Sequence, residues 1–328
     1  MRTLAAKLLL LLLPLALISG WLELELRAMP NSYNQKRDLL EPRLPGLRVL
    51  VLGASQENQD IAAGLLDEDA FDLACVGQDW YYDRLLALKY LDRMPKLRLV
   101  VLTLSYVSVA YQLRHSPEAW RGFQYRLYYG LPDEDPGSRY DLRNFSALAF
   151  TGPLDALKDA CNRFRGNPDV VFGPDGQQRV PALSDTVLGF IINGISAGKR
   201  ISYLESTMRE QAVPENLALL KDLLQTLALR HVQVVFISSP VTDEYRQAMD
   251  MKLWAGHRSE ALALAKKFNA RYYDYLADPR FTDEDFSDVD HLNVSGADKF
   301  TRILKKDFVD PLLKEKPAAP GPLTRSPS

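Results

Sequence analysis

The feature that most constrains this chain is a rhythm of short apolar runs, each stopped by glycine, serine or proline. Leu47-Arg-Val-Leu-Val-Leu52 ends in Gly53, and Phe71-Asp-Leu-Ala-Cys-Val76 ends in Gly77. Leu97-Arg-Leu-Val-Val-Leu-Thr-Leu104 is a third run, and Val232-Gln-Val-Val-Phe-Ile237 a fourth, closed by Ser238-Ser239-Pro240. Arg271-Tyr-Tyr-Asp-Tyr275 is a weaker fifth. Apolar runs of this length, bounded by turn residues, read as buried strands. Helical spacing separates them. Leu85, Leu88 and Leu91 share one face before Pro95, and Leu217, Leu220, Leu224 and Leu227 share another after Pro214, a good helix-starting residue. Ala261, Leu262 and Leu264 lie on a helix before the fifth run, and Ser295 with Asp298 resembles a capping box opening a last helix toward Leu312. Strands alternating with helices predict an α/β fold whose parallel sheet is covered on both faces.

Residues 106–213 break that rhythm with a long, aromatic-rich stretch expected to be helical and looped. Ligands of open α/β sheets bind at the carboxyl ends of the strands. An insertion leaving the third strand there is placed to shape a substrate cleft.

The two ends differ from the middle. Arg2 and Lys7 precede an uncharged run from Leu8 to Leu22 with six consecutive leucines. Residues 1–22 therefore read as a signal anchor or a signal peptide. A helix over 4–22 would span roughly 28 Å at about 1.5 Å per residue, close to the hydrocarbon thickness. Trp21 suits the membrane interface, and the basic start sends the rest of the chain out of the cytoplasm. The expected localisation is a single-pass cell-membrane protein with an extracytoplasmic, periplasmic domain. Residues 23–45 read as a polar, proline-punctuated connector and 46–313 as the α/β domain. Residues 314–328, KEKPAAPGPLTRSPS, read as a disordered tail.

Composition narrows the function. The net charge is −2, with no basic stripe interleaved with aromatics, so nucleic acid is not an expected partner. Cys75 and Cys161 permit at most one disulfide; Cys75, inside an apolar run, reads as a small buried hydrophobe. His115 and His257 lack metal-ligand spacing, and there is no Cys/His cluster, so no metal site is expected.

Two places carry chemistry. Gly53-Ala54-Ser55 follows the first strand directly, which presents a serine at the carboxyl edge of the sheet. A serine there is also a common helix N-cap, and as a nucleophile it needs a base. Asp288-Val-Asp290-His291-Leu292-Asn293 supplies one: a carboxylate three residues before a histidine can turn back to hold its Nδ1–H, leaving Nε2 for a serine. Asp290, adjacent to His291, is expected to diverge from the ring and face solvent or substrate. The plain alternative is a solvated acidic loop before a capped helix.

Together, strand-Gly-x-Ser near the start and Asp-x-x-His before the last helix resemble the first and last blocks of the SGNH-hydrolase family. The nearer resemblance is to membrane-anchored SGNH-like proteins of cell-envelope acylation systems, through VLVLGAS, ACVGQDWYY, ISSPVTDEY and DVDHLNVSGA. It covers roughly residues 47–105 and 215–312. The resemblance implies a flavodoxin-like three-layer fold, Ser55 as nucleophile, and Asp288 and His291 as acid and base. It implies an oxyanion hole from the backbone N–H groups of Ser55 and Gly77. The family's Gly-x-Asn-Asp block is replaced here by Ser105-Tyr106, and Gln78 is the candidate side-chain donor. Also implied are an O-acyl esterase or acyltransferase without cofactor, an acylated polysaccharide or cell-envelope glycan as substrate, and a membrane acyl-donor protein as partner. A catalytically inactive glycan-binding or assembly subunit of such a system is the alternative.

Overall fold

The computed structural model describes residues 2–132, 140–152, 172–178 and 196–315. The tail beyond 315, Cys161 and much of the insertion lie outside them. The chain divides into two units, one of residues 1–37 and 120–171, the other of 38–119 and 172–328.

The larger unit is built on a five-stranded sheet: β1 (Val49–Leu52), β2 (Ala70–Asp72), β3 (Leu99–Thr103), β4 (Gln233–Ser238) and β5 (Arg271–Asp274). Every pairing is parallel and the order is β2-β1-β3-β4-β5. This is the flavodoxin-like doubly wound order, whose switch point lies at β1 and β3. The three strands β1, β2 and β3 are buried along their whole length. Side chains alternate between faces with period two. Val49, Val51, Leu99, Val101, Val235 and Ile237 therefore point one way, and pack with Phe300, Leu304, Phe308 and Leu312 in one core. Burial on both faces explains why these strands read as unbroken apolar runs and not as alternating ones.

The first unit holds α1 (Arg2–Ala28), α2 (Ser32–Leu40, whose last turn lies in the larger unit), α6 (Arg121–Tyr129) and α7 (Ala147–Thr151). The larger unit holds α3 (Ser55–Asp60), α4 (Ala63–Leu66), α5 (Trp80–Leu91), α8 (Ala197–Thr207) and α9 (Val213–Leu229). It continues with α10 (Asp243–Ala248), α11 (Met251–Lys267), α12 (Val294–Leu304) and α13 (Asp310–Lys314). Helices α5, α9 and α11 lie where the spacing places them, but the buried face of α5 is Leu86, Ala87, Tyr90 and Leu91, with Leu85 and Leu88 half-buried, and in α11 Ala261 is buried with Trp254, His257 and Ala265 while Leu262 and Leu264 are half-buried. Helix α12 is capped differently from the expected box: Asn293, two residues before Ser295, is the N-cap and its side chain accepts from Gly296 N. Residues 23–45, read as a connector, carry the end of α1 and all of α2, because Asn31 and Asn34 tie the intervening turn with side-chain bonds to the backbone.

In the first unit, α1 presents Leu10, Leu12, Leu13, Leu15, Leu17 and Ile18 to the outside, whereas Leu22 and Leu26 are buried. Among the described residues no helix is long and apolar enough to cross a membrane; the side chains at 2–6, 8, 9 and 11 are not among them.

One backbone position decides how β1 ends. Gly53 has φ +142°, outside the range of ordinary L-residues, and a Cβ there would lie 2.1 Å from Thr103 Oγ1 and 2.5 Å from Glu57 Oε2. Strain at such a φ and overpacking each cost about 1–3 kcal/mol. Gly198 in α8 has nothing within 4 Å of a built Cβ. Urea unfolding should therefore show Gly53→Ala destabilised by several times RT while Gly198→Ala is unchanged or slightly more stable, as helix propensity favours alanine.

Candidate active site

The sharp exit from β1 at Gly53 leads directly into α3, so Ser55 occupies the first helical position at the carboxyl edge of the sheet. The Glu57 carboxylate folds back beneath this turn and accepts from Ala54 N at 3.1 Å. Across the sheet edge, the loop before α12 brings in His291. Its Nε2 lies 2.8 Å from Ser55 Oγ, across 236 residues of sequence. Its Nδ1 lies 2.9 and 3.0 Å from the two oxygens of Asp288. Asp288 Oδ1 also accepts from the backbone N–H of Asp290 and His291 at 2.9 and 2.8 Å. The carboxylate thus closes a tight turn and orients the ring at once.

Helix α3 grips the same loop. Gln56 Nε2 donates to Asp290 O at 3.1 Å, and Leu292 N donates to Asp60 Oδ1 at 2.8 Å. The helix that presents the serine therefore also fixes the histidine backbone on both sides. Neither Gln56 nor Asp60 was singled out by the sequence; both are polar residues of a short helix that a pattern reading places in solvent, yet both are buried.

Asp290 does not diverge from the ring as expected: its Oδ1 lies 3.5 Å from His291 Nδ1. Nor is it solvated. It is buried, and Arg200 of α8 holds it in a bidentate pair, Nε to Oδ1 and Oδ2 at 3.0 and 2.9 Å and Nη2 to Oδ2 at 2.7 Å. Arg200 sits in the insertion, where no motif marks it.

Ser55, Gly77, Gln78, Thr103, Tyr111 and Tyr203 contribute to one cavity of about 110 Å³, which Arg200 and Asp290 also line. Gly77 has φ +70° and its carbonyl accepts from Tyr111 Oη at 3.2 Å. Gln78 is a different matter. Its Nε2 donates to Asp83 Oδ1 at 2.6 Å, so that amide is engaged inside the protein. The site brings Ser55, Asp288, His291 and Gly77 together, and leaves Gln78 turned to a buried acid.

No protein-family model matches this chain. No curated protein matches it either. Solved structures do. One, from Bacteroides fragilis, is provisionally described as an acylhydrolase; it is 9% identical, with TM-score 0.42, covering 87% of this chain and 98% of that one. Another, from Streptococcus pneumoniae, is provisionally described as a platelet activating factor; it is 12% identical, with TM-score 0.39, covering 90% of this chain and 98% of that one. At identities and scores this low, neither assigns a chemistry to this chain.

The electrostatics of the site are those of a buried charge cluster. Burial opposes a proton on His291, but the Asp290 and Asp288 carboxylates outweigh it and push the imidazole up to about 9. Asp288 moves the other way: burial would raise it, and the bond from His291 holds it below the usual range. Burial pushes Glu57 up to about 7 and Asp79 up to about 6, and raises Asp60 and Asp83 well above the ordinary aspartate value. Asp288, Asp290 and His291 offer donor atoms within 4.8 Å of one another. Arg200 already neutralises Asp290 and Asp288 engages Nδ1, so these groups satisfy each other as they stand.

The arrangement can pass a proton from Ser55 Oγ to Nε2 whenever the ring is neutral. Its pH signature follows from signs. A group whose folded pKa is raised stabilises the fold below its unfolded pKa, and that contribution is lost as pH rises through the folded value. His291 and Glu57 both belong to this class. Unfolding free energy should therefore fall as pH rises, from about 4.5 to about 7 through Glu57 and from about 6.5 to about 9 through His291. Glu57→Gln should make the first segment shallower and leave the second unchanged, the buried Asp60, Asp79 and Asp83 carrying the rest of the first. By NMR, the His291 ring should titrate near 9 and shift downward in Asp290→Asn, which removes a neighbouring negative charge.

Proposed function

We propose that this protein is a serine O-acyl hydrolase or acyltransferase, held to the outer face of a cell membrane by α1 and acting on an acylated cell-envelope or secreted polysaccharide. The observation that carries the catalytic part is the unbroken chain from Asp288 through His291 to Ser55, ending in a cavity.

Ser55 Oγ attacks the acyl carbonyl carbon while its proton passes to His291 Nε2. Asp288 keeps the proton on Nδ1, so that Nε2 is the free base, and balances the imidazolium. Charge develops on the carbonyl oxygen, where the backbone N–H groups of Ser55 and Gly77 are the available donors. Collapse expels the sugar alkoxide, which takes the proton from Nε2. Water or a second sugar hydroxyl then gives its proton to Nε2 and attacks the acyl-serine; the acyl–Oγ bond breaks, Ser55 Oγ takes the proton back from Nε2, and the free acid or the transferred ester is released. A cavity of about 110 Å³ is small beside the roughly 300–1,000 Å³ of drug-sized sites, which suits a short acyl group.

Export and anchoring are read from the basic start of the chain and from the leucines that α1 leaves exposed. A membrane acyl-donor protein is the natural partner if the reaction is transfer.

A second reading is favoured by one observation. The Gln78 Nε2 donates to Asp83, which draws on the one side-chain amide expected to serve as an oxyanion donor. Loss of one such donor can lower turnover about 10²–10³-fold. The chain would then serve as a glycan-binding or assembly subunit.

Kinetics on p-nitrophenyl acetate and on acetylated glycan separate the two. Ser55→Ala should abolish turnover. Asp288→Asn should lower it by about 10⁴, as measured for the orienting aspartate of a serine protease. Asp290→Asn should matter far less. In the unmodified protein kcat/KM should climb with pH to a plateau above about 9, because only the neutral ring accepts the serine proton. Glycan binding that persists with turnover no greater than that of Ser55→Ala would favour the subunit reading.

A further inference from the structure

The first unit carries a surface that the catalytic reading does not use. Helix α1 does not end at its apolar stretch. Two residues beyond Trp21, Glu23 reaches α7: its Oε2 accepts from Ser146 Oγ at 2.7 Å and Leu148 N at 2.9 Å, and its Oε1 from Ala147 N at 3.0 Å. One turn further, the Arg27 guanidinium donates to the carbonyl of Phe145 and pairs with Glu23. Leu26 and Ala147 are buried together, with Met29, Leu127 and Leu148 packed around them. Residues 145–148 are thus clamped to the last two turns of α1.

The same segment exposes large apolar side chains. Tyr140 is 77% exposed, Leu142 72% and Phe145 62%. Leu24 on α1 is 69% exposed and Trp120 42%. Cations accompany them, though Arg143 is also paired with Asp141 within the segment. Arg143 lies 4.5 Å and Arg126 5.5 Å from the centre of the Phe123 ring, and Arg121 lies 4.6 Å from that of Trp120. Soluble surfaces scatter such residues singly; a cluster of aromatic and aliphatic side chains rimmed by arginines marks a binding face.

Depth along α1 says what the face meets. At about 1.5 Å per residue, Glu23 lies roughly 3 Å and Arg27 roughly 9 Å beyond Trp21. The headgroup layer on each side of a bilayer is about 5–8 Å thick, from a total of about 40–45 Å around a core of about 30 Å. If Trp21 marks the edge of the hydrocarbon, the clamp holds residues 146–148 within the headgroup layer through Glu23 and Phe145 at its outer edge through Arg27. Aromatic rings and arginines are the side chains that favour this layer, the rings for their amphipathic shape and the arginines for anionic lipid.

We infer that the segment Tyr140–Phe145, with Trp120 and Leu24, is a membrane-interface foot: a surface that rests in the headgroup layer of an anionic bilayer and fixes the orientation of the first unit on it. This rests on the anchor reading for α1, and on nothing in the catalytic site.

The test places an environment-sensitive nitrobenzoxadiazole probe on the full-length protein at Leu17→Cys or at Phe145→Cys, in a Cys75→Ala, Cys161→Ser background. The protein is reconstituted in phosphatidylcholine–phosphatidylglycerol vesicles. Phe145→Cys should lose emission to lipid bearing a headgroup nitroxide, and Leu17→Cys to lipid bearing a nitroxide deep in the acyl chain. Emission at Phe145→Cys that is indifferent to both quenchers, with Leu17→Cys quenched, overturns the foot and leaves the anchor. An unquenched Leu17→Cys overturns the anchor itself, whatever the Phe145→Cys probe reads. Leu142→Cys serves as a second foot position should Phe145→Cys fold poorly.

Discussion

The site depends on one buried interaction, the hydrogen bond between His291 Nδ1 and Asp288. A histidine ring in a cavity has two ways to lose its usefulness: it can rotate, or it can hold its proton on the wrong nitrogen. Asp288 prevents both, and the two backbone N–H groups that it accepts from keep the carboxylate itself in place. The loop is then held from outside, by Gln56 and Asp60 of the helix that carries Ser55. Serine and histidine are therefore not two independently placed groups. Any motion of α3 carries both.

The same proximity sets a cost. Two carboxylates beside one imidazole favour the imidazolium, which cannot accept the serine proton. Arg200 pairs bidentately with Asp290 and holds that carboxylate in place, 3.5 Å from the ring, while Asp288 orients the imidazole. The buried Glu57, Asp60, Asp79 and Asp83 show the related tension: each is held in a place where its charged form is disfavoured by burial. Natural proteins keep such groups where position matters more than stability. Here Glu57 shapes the turn before Ser55, Asp60 holds Leu292, and Asp79 caps α5 and accepts from Leu113 N.

Much of this was legible because period and punctuation are local properties. Buried parallel strands must be apolar on both faces, so β1 to β4 announce themselves, and even the half-exposed β5 is visible in Arg271-Tyr-Tyr-Asp. Ser55 was visible because it follows a strand and a glycine, and Asp288 with His291 because three residues is one turn. What stayed hidden is long-range. Helix α3 reads SQENQD, a wholly polar string that pattern places in solvent; its residues are buried because their partners lie 120 to 234 residues away. Asp290, expected to face solvent or substrate, is buried and lines the cavity, and its pairing with Arg200, in an insertion without motif, has no sign in the sequence. Gln78 had the right place for an oxyanion donor, and only the structure shows its amide turned to Asp83. The charge clamp of Glu23 on α7 was equally invisible, since its acceptor role joins positions 123 to 125 residues apart.

The central claim is that Ser55 is a nucleophile made reactive by a neutral His291. It is met most directly by reacting the full-length protein with a fluorophosphonate and locating the adduct by peptide mass spectrometry, at pH 7 and at pH 9.5. The account predicts a single phosphonylated residue, Ser55, formed faster at the higher pH because the ring is then neutral, and no adduct in His291→Ala. Absence of an adduct at both pH values, or modification elsewhere with Ser55 untouched, would contradict it.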